Sequence, residues 1–202
     1  MGIYSLKPTF RRALSPTARL LIRAGISADT LTALGLVFAA AAGLGVWLGR
    51  DGSTWLLLVP VGALLRTAAN ALDGMVATTT RTTRPLGDVF NEVADRIGDV
   101  AVLFPLVLVP EVPDALVAGA LAASLVASYL GIAVKAAGGV RVYKGIMGKP
   151  DRMFVVGVAA IIGLVLDDAV AAFTWALWII LTGALITFLL RVLEARRQLN
   201  QL

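Results

Sequence analysis

The chain has 202 residues, 58% of them hydrophobic, with a mean hydropathy of +0.86; a soluble domain of this length could not bury that much apolar surface, so lipid must act as solvent. It contains no Cys and no His, which excludes disulfides, thiolate or imidazole metal sites, Cys nucleophiles and His general bases. Eighteen Lys and Arg against thirteen Asp and Glu leave a formal charge of +5, an excess that in so apolar a chain reflects membrane topology and anionic headgroups rather than nucleic acid.

From the N-terminus, residues 1–25 carry basic side chains but lack the continuous apolar core and cleavage site of a secretory leader, and are read as part of the mature protein. Ser15-Pro16 predicts an N-cap followed by Pro at the first helical position, with Gly25 as the stop. Leu20, Leu21 and Ile22 are apolar while Arg19 and Arg23 share a face, which suits an amphipathic helix lying on headgroups. A solvated basic arm is the alternative. Stretches long and apolar enough to cross hydrocarbon then follow at residues 30–49, 55–77, 87–109, 114–134, 150–166 and 170–190. The expected fold is an all-α membrane protein: an interfacial arm over residues 1–29 and six transmembrane helices over residues 30–202.

Charge alternates along the connections. Lys7, Arg11, Arg12, Arg19 and Arg23 precede the first span, and Arg81 and Arg84 follow the second. Lys135, Arg141, Lys144, Lys149 and Arg152 surround the fourth connection, and Arg191, Arg196 and Arg197 follow the last span. The other connections hold Arg50 with Asp51, then Glu111 and Asp114, then Asp167 and Asp168. The positive-inside rule therefore puts both termini in the cytoplasm, with an even number of spans.

Two spans carry polar residues where lipid should be, and such residues mark function when they face a cavity. Arg66, Asn70, Asp73 and Ala77 follow helical spacing in the second, and Asp88, Asn91, Glu92, Asp95 and Asp99 in the third. Oxygen ligands from two helices, without His or Cys, favour a hard divalent cation, Mg²⁺ or Mn²⁺. Interhelical hydrogen bonding and a water-exposed helix end are the plainer readings of each residue taken singly. Together the residues point to a cytoplasm-facing cavity for metal and an anionic ligand. Arg66, one turn before Asn70, fits as a counter-charge to phosphate or as a partner for a neighbouring carboxylate.

The run Asn70-Ala-Leu-Asp73-Gly74-Met-Val-Ala77-Thr78, then eight residues, then Gly87-Asp-Val-Phe-Asn91-Glu-Val-Ala-Asp95 resembles the signature of the CDP-alcohol phosphotransferases, D-x-x-D-G-x-x-A-R followed by G-x-x-x-D-x-x-x-D. Asp73, Gly74, Ala77, Gly87 and Asp95 are identical; Asn70 and Asn91 replace the first and third aspartates, and Thr78 replaces the arginine. The resemblance extends to the basic helix before the first span, the Ser-Ala-Asp-Thr-Leu-Thr run at 27–32, and Gly148-Lys149-Pro150-Asp151-Arg152 opening the fifth span. It implies transfer of a phosphatidyl or related phosphoalcohol group from a CDP-alcohol to an acceptor hydroxyl, with release of CMP, in phospholipid synthesis at the bacterial cytoplasmic membrane. It also implies a homodimer.

Carried onto this chain, the resemblance makes Asp73 a metal ligand, Asn70 and Asn91 weaker amide ligands, and Asp95 both a ligand and the base. Glu92, beside Asn91, is a substitute carboxylate. Gly74, Ala77 and Gly87 are small where nucleotide approaches the helices, with Thr78 beside them; tight helix packing explains small residues equally well. Each Asp-to-Asn change removes one negative charge, so one metal, or weaker binding of two, is expected. A membrane site suits a lipid-tailed donor such as CDP-diacylglycerol, and the cytoplasmic basic residues suit a phosphorylated small alcohol as acceptor, with Lys149 and Arg152 as its contacts. The alternatives are a non-catalytic homologue that binds nucleotide-lipid or a partner, and a small transporter, although no polar stripe continues through the outer halves of the spans.

Overall fold

The computed structural model describes residues 7–201, so residues 1–6 of the expected N-terminal arm and residue 202 lie outside the described residues. The first helix, α1 (Lys7–Arg23), begins well before Ser15 and carries Pro16 inside it. The expected start at Ser15 is therefore corrected. Pro16 and Arg12 are both exposed, so the carbonyl that the proline leaves unpaired lies on the outer face rather than in the core. The stop is where Gly25 predicts it: φ is +71°, Ile26 N–H donates to the Leu21 carbonyl at 3.0 Å and Gly25 N–H to that of Ile22 at 3.1 Å, a Schellman ending. Ala18 is buried against Leu31, Leu72 and Val76, with Leu14, Leu21 and Ile22 around them, which seats α1 on the helices that follow.

Six longer helices follow among the described residues. Ser27 caps α2 (Ala28–Leu48) by accepting the Thr30 N–H at 3.1 Å. A 3-10 turn, Thr54–Leu57, leads into α3 (Leu58–Thr80), and α4 (Pro85–Leu103) starts with proline in its first turn. The third span was expected as one helix to residue 109, but Phe104–Leu108 is a 3-10 segment. Pro105 has no N–H to continue the α-helical ladder. After α5 (Asp114–Ala136) a loop over residues 137–148 runs to α6 (Lys149–Leu166), and a two-residue turn leads to α7 (Ala169–Leu199), longer than the expected 170–190.

Among the described residues four segments can cross a membrane by length and composition: Ala28–Leu48, Thr54–Thr80, Asp114–Ala136 and Ala169–Leu199. The helices α4 and α6 fall outside that set, because α4 carries Asp88, Glu92, Asp95, Arg96 and Asp99, and α6 opens with Lys149, Asp151 and Arg152. The chain is thus an integral membrane protein, all-helical among the described residues, with polar residues carried by α3, α4 and the opening turn of α6. Small residues let α2 approach its neighbours: a Cβ on Gly62 would lie 2.7 Å from the Phe38 carbonyl oxygen, and one on Gly43 would collide with the carbonyl of Ala101. Close packing joins α2 to α3 and to α4, α5 to α7, and α6 to α3 and α7. The helix α4 packs closely on α2 and α5 but on neither α3 nor α6. That gap is where the cavity lies.

Candidate active site

A cavity of about 700 Å³ opens between α3, α4 and α6, with further lining from α5, α7 and the 137–148 loop. One end is polar and the other apolar, the latter built by Pro60, Ala63 and Leu64 of α3 and Phe154, Val158 and Ile161 of α6. On the polar side α3 presents Asn70, Asp73, Gly74 and Thr78, and α4 presents Asn91, Glu92, Asp95 and Arg96. A Cβ added to Gly74 would meet nothing within 4 Å, so helix packing does not explain this glycine. Ala77 and Gly87 do not line the cavity; Gly87 sits beside Arg84 and Asp29, which pair with each other.

Most carboxylates on these helices already have a cationic or hydroxyl partner. Asp73 is buried, and its Oδ2 accepts the Thr32 hydroxyl of α2 at 2.9 Å. Asp95 pairs with the Lys149 ammonium at the start of α6. Glu92 is held by Arg96 at 3.1 Å and by Arg141 of the loop. Asp99 is fully buried between Arg66, at 3.4 Å, and Arg152, at 2.5 Å. Asn91 Oδ1 is buried with no hydrogen-bond partner, an oxygen ready for a cation.

Among the described residues no three carboxylates converge as a metal cluster. Asn70 and Asn91 bring amides rather than carboxylates to the cavity wall. Asp73 with the unpartnered Asn91 oxygen, and Asn70 on the same cavity wall, are a hard oxygen donor set of low charge. This set fits a hard divalent cation. Glu92 on the same cavity is engaged by two guanidiniums.

A cationic wall draws on residues far apart in the sequence. Arg96, Arg141 and Arg191 all line the cavity. The loop that carries Arg141 is strapped to α7: Thr187 Oγ1 accepts the N–H groups of Ile146 and Met147 at 3.1 and 2.9 Å, and Arg191 donates to the Lys144 carbonyl at 3.0 Å and the Ala127 carbonyl at 2.6 Å. Gly145, at φ +145°, lies so close to Thr187 that a Cβ there would collide with it. Arg141 also stacks over Tyr143, with Cζ 4.7 Å from the ring centroid. Two guanidiniums on Glu92, with that of Arg191 also on the cavity wall, leave a net positive wall, suited to an anion with several oxygens. Lys144 instead pairs with Glu194 at the exposed surface. Arg152, expected as an acceptor contact, is 1% exposed, does not line the cavity and is committed to Asp99.

The chain is 34% identical to the inner membrane protein YnbA of Escherichia coli over 157 residues, 78% of each chain. It is 27% identical to the archaetidylinositol phosphate synthase of Pyrococcus horikoshii, covering 96% of this chain and 97% of that one. It is also 28% identical to the phosphatidylinositol phosphate synthase of Streptomyces avermitilis, covering 94% and 80%. The chain belongs to the CDP-alcohol phosphotransferase family. This family comprises membrane transferases of phospholipid synthesis, and the fold agrees. The phosphatidylinositol phosphate synthase of Mycobacterium tuberculosis, in a crystal structure with CDP-DAG bound, superposes with a TM-score of 0.74 at 25% identity, covering 93% of this chain and 95% of that one. Its structure with manganese and citrate gives 0.74 at 24% identity, covering 91% and 88%. No family model matches the chain.

Proposed function

We propose that this CDP-alcohol phosphotransferase moves a phosphatidyl group from CDP-diacylglycerol to a phosphorylated small alcohol and releases CMP. One observation carries the reading: a single cavity joins an apolar slot, a carboxylate-and-amide wall and a cluster of three guanidiniums. Acyl chains enter the slot between Pro60, Leu64 and Phe154, the diphosphate lies against Asp73 and Gly74, and the acceptor's phosphate meets Arg96, Arg141 and Arg191. Thr78 faces the nucleotide; its hydroxyl is turned back to the Gly74 carbonyl at 2.7 Å, so it offers the ligand a methyl face. Ala77 and Gly87 act through packing.

The acceptor hydroxyl attacks the phosphorus that carries the lipid, the bond from that phosphorus to CMP breaks, and Asp95 takes the hydroxyl proton. An incoming diphosphate gives Lys149 a richer anionic partner, which frees Asp95 to act as base. Asp73, Asn91 and Asn70 would hold a divalent cation, Mg²⁺ or Mn²⁺, which would supply charge neutralisation at the diphosphate. Six spans, with α4 and α6 crossing beside the other four and turning exposed apolar side chains such as Val93, Ile97, Ile162 and Val165 outward, both termini and the cavity mouth on the cytoplasmic side, and a homodimeric assembly complete the proposal. The charge alternation of the connections supports the sidedness.

A non-catalytic homologue is the second reading, favoured by Asn70, Asn91 and the Lys149 partner on Asp95. Purified protein given CDP-diacylglycerol, Mg²⁺ or Mn²⁺ and a panel of free and phosphorylated alcohols separates the two. Metal-dependent CMP release with a phosphorylated acceptor supports transfer. Donor binding without release for any acceptor supports the second reading.

A further inference from the structure

Arg66, Asp99 and Arg152 form a buried ionic bridge that the transfer reaction does not use. Their relative exposures are 2%, 0% and 1%. We propose that Asp99 is a positioning residue: with Arg66 of α3 on one carboxylate oxygen and Arg152 of α6 on the other, it sets how far α4 stands from α3 and α6. It thereby places Asp95 relative to Asp73 and Lys149.

The packing makes such a device necessary. Close packing fixes α4 on α2 and α5, but on the cavity side α4 has no close helix partner, so side chains must span the gap. Arg66 bonds Asp99 Oδ1 at 3.4 Å, and Arg152 bonds Oδ2 at 2.5 Å, one helix per oxygen. Arg66 also donates to the Asp95 carbonyl at 3.0 Å and reaches Met153 Sδ of α6 at 2.9 Å, so it touches the backbone of the proposed base and both walls of the cavity. Gly98 completes the fit: a Cβ there would strike the Arg66 guanidinium. Arg152 is anchored in turn to the Met147 carbonyl at 3.3 Å, where the loop enters α6.

Stability alone is a poor reason to keep this bridge. Burying three charges is costly, and replacing buried ionic triads by apolar side chains of similar volume is often neutral or stabilising. Two guanidiniums share one carboxylate, and Arg152 Nε has no partner. What the arrangement provides is a fixed distance and direction across an otherwise open wedge.

The functional part of this inference rests on the transfer reading, and the experiment separates the two. The chain has no cysteine, so spin labels on Val93→Cys of α4 and Ile162→Cys of α6, both exposed positions, report the wedge by pulsed EPR in unaltered and variant backgrounds. Asp99→Asn is expected to broaden the distance distribution and lower kcat for CMP release about a hundredfold, the scale on which small misplacements act, with a smaller change in the donor's KM. The apolar variant Arg66→Met/Asp99→Leu/Arg152→Met is expected to keep its Tm within about 5 °C and still lose turnover; it decides the matter if Asp99→Asn does not fold. An unchanged distance distribution, or an apolar variant that retains turnover, overturns the proposal. If the unaltered chain releases no CMP, the transfer reading fails while the label distances still decide whether Asp99 positions α4.

Discussion

Arg66 and Asp99 lie 33 residues apart, on helices that do not pack closely together, yet their charged groups meet at 3.4 Å with both side chains buried. The contact depends on Gly98, whose missing Cβ leaves the guanidinium its place. Gly98→Ala is therefore expected to destabilise the fold by about 1–3 kcal/mol through overpacking. Thermal unfolding in detergent checks this, and an unchanged Tm would show that Arg66 has another place to go.

Asp95→Asn is expected to lower turnover by about 10²–10⁴, the usual contribution of a positioned base, while donor binding stays within a few-fold. Lys149→Met should instead weaken donor binding, since it removes a charge that meets the diphosphate. Single-turnover CMP release alongside a direct donor-binding measurement distinguishes the two. Equal loss of binding in both variants would remove the assigned division of labour.

Restoring acids at the two amide positions tests the metal wall. Asn91→Asp adds a charge where the native oxygen has no partner, so the Mn²⁺ concentration for half-saturation, read by EPR, is expected to fall about tenfold, or roughly 1.4 kcal/mol. Chelation with EDTA should abolish release in the native chain and in the variant alike. A weaker Mn²⁺ affinity in Asn91→Asp would place the cation elsewhere.

Arg141→Ala and Arg191→Ala are expected to raise the KM of a phosphorylated acceptor about tenfold or more with little effect on an uncharged alcohol, because a charge-assisted contact to phosphate contributes about 1.5–3 kcal/mol. Glu92→Gln acts in the opposite direction. It frees Arg96 and Arg141 from their carboxylate, so the KM of a phosphorylated acceptor should fall. Steady-state kinetics over a range of ionic strength checks both.

Thr32→Val keeps the side-chain shape but removes the hydroxyl that donates to Asp73 at 2.9 Å. The expected cost is about 1 kcal/mol of stability, measured by thermal unfolding. Metal affinity should change with it, since the carboxylate loses the group that orients it.

Hydropathy, helical spacing and the positions of Asp73, Gly74 and Asp95 are local properties, so the helical membrane class and the polar faces of α3 and α4 could be read from the order of residues by itself. So could the stop at Gly25, because a positive φ is a property of one residue. The start of α1 and the break at Pro105 were less legible, since proline in or beside a helix is tolerated according to which side of it packs. Partner choice was not legible at all. Arg141 and Lys144 look alike in the same loop, but only Arg141 lines the cavity, because Thr187 and Arg191 strap that loop to α7. Arg152 and Asp99 are separated by 53 residues, and no pattern within either helix announces their contact. Tertiary structure decided which cations face the ligand and which hold the walls apart, because inside the protein a charge must find its partner across helices rather than in water.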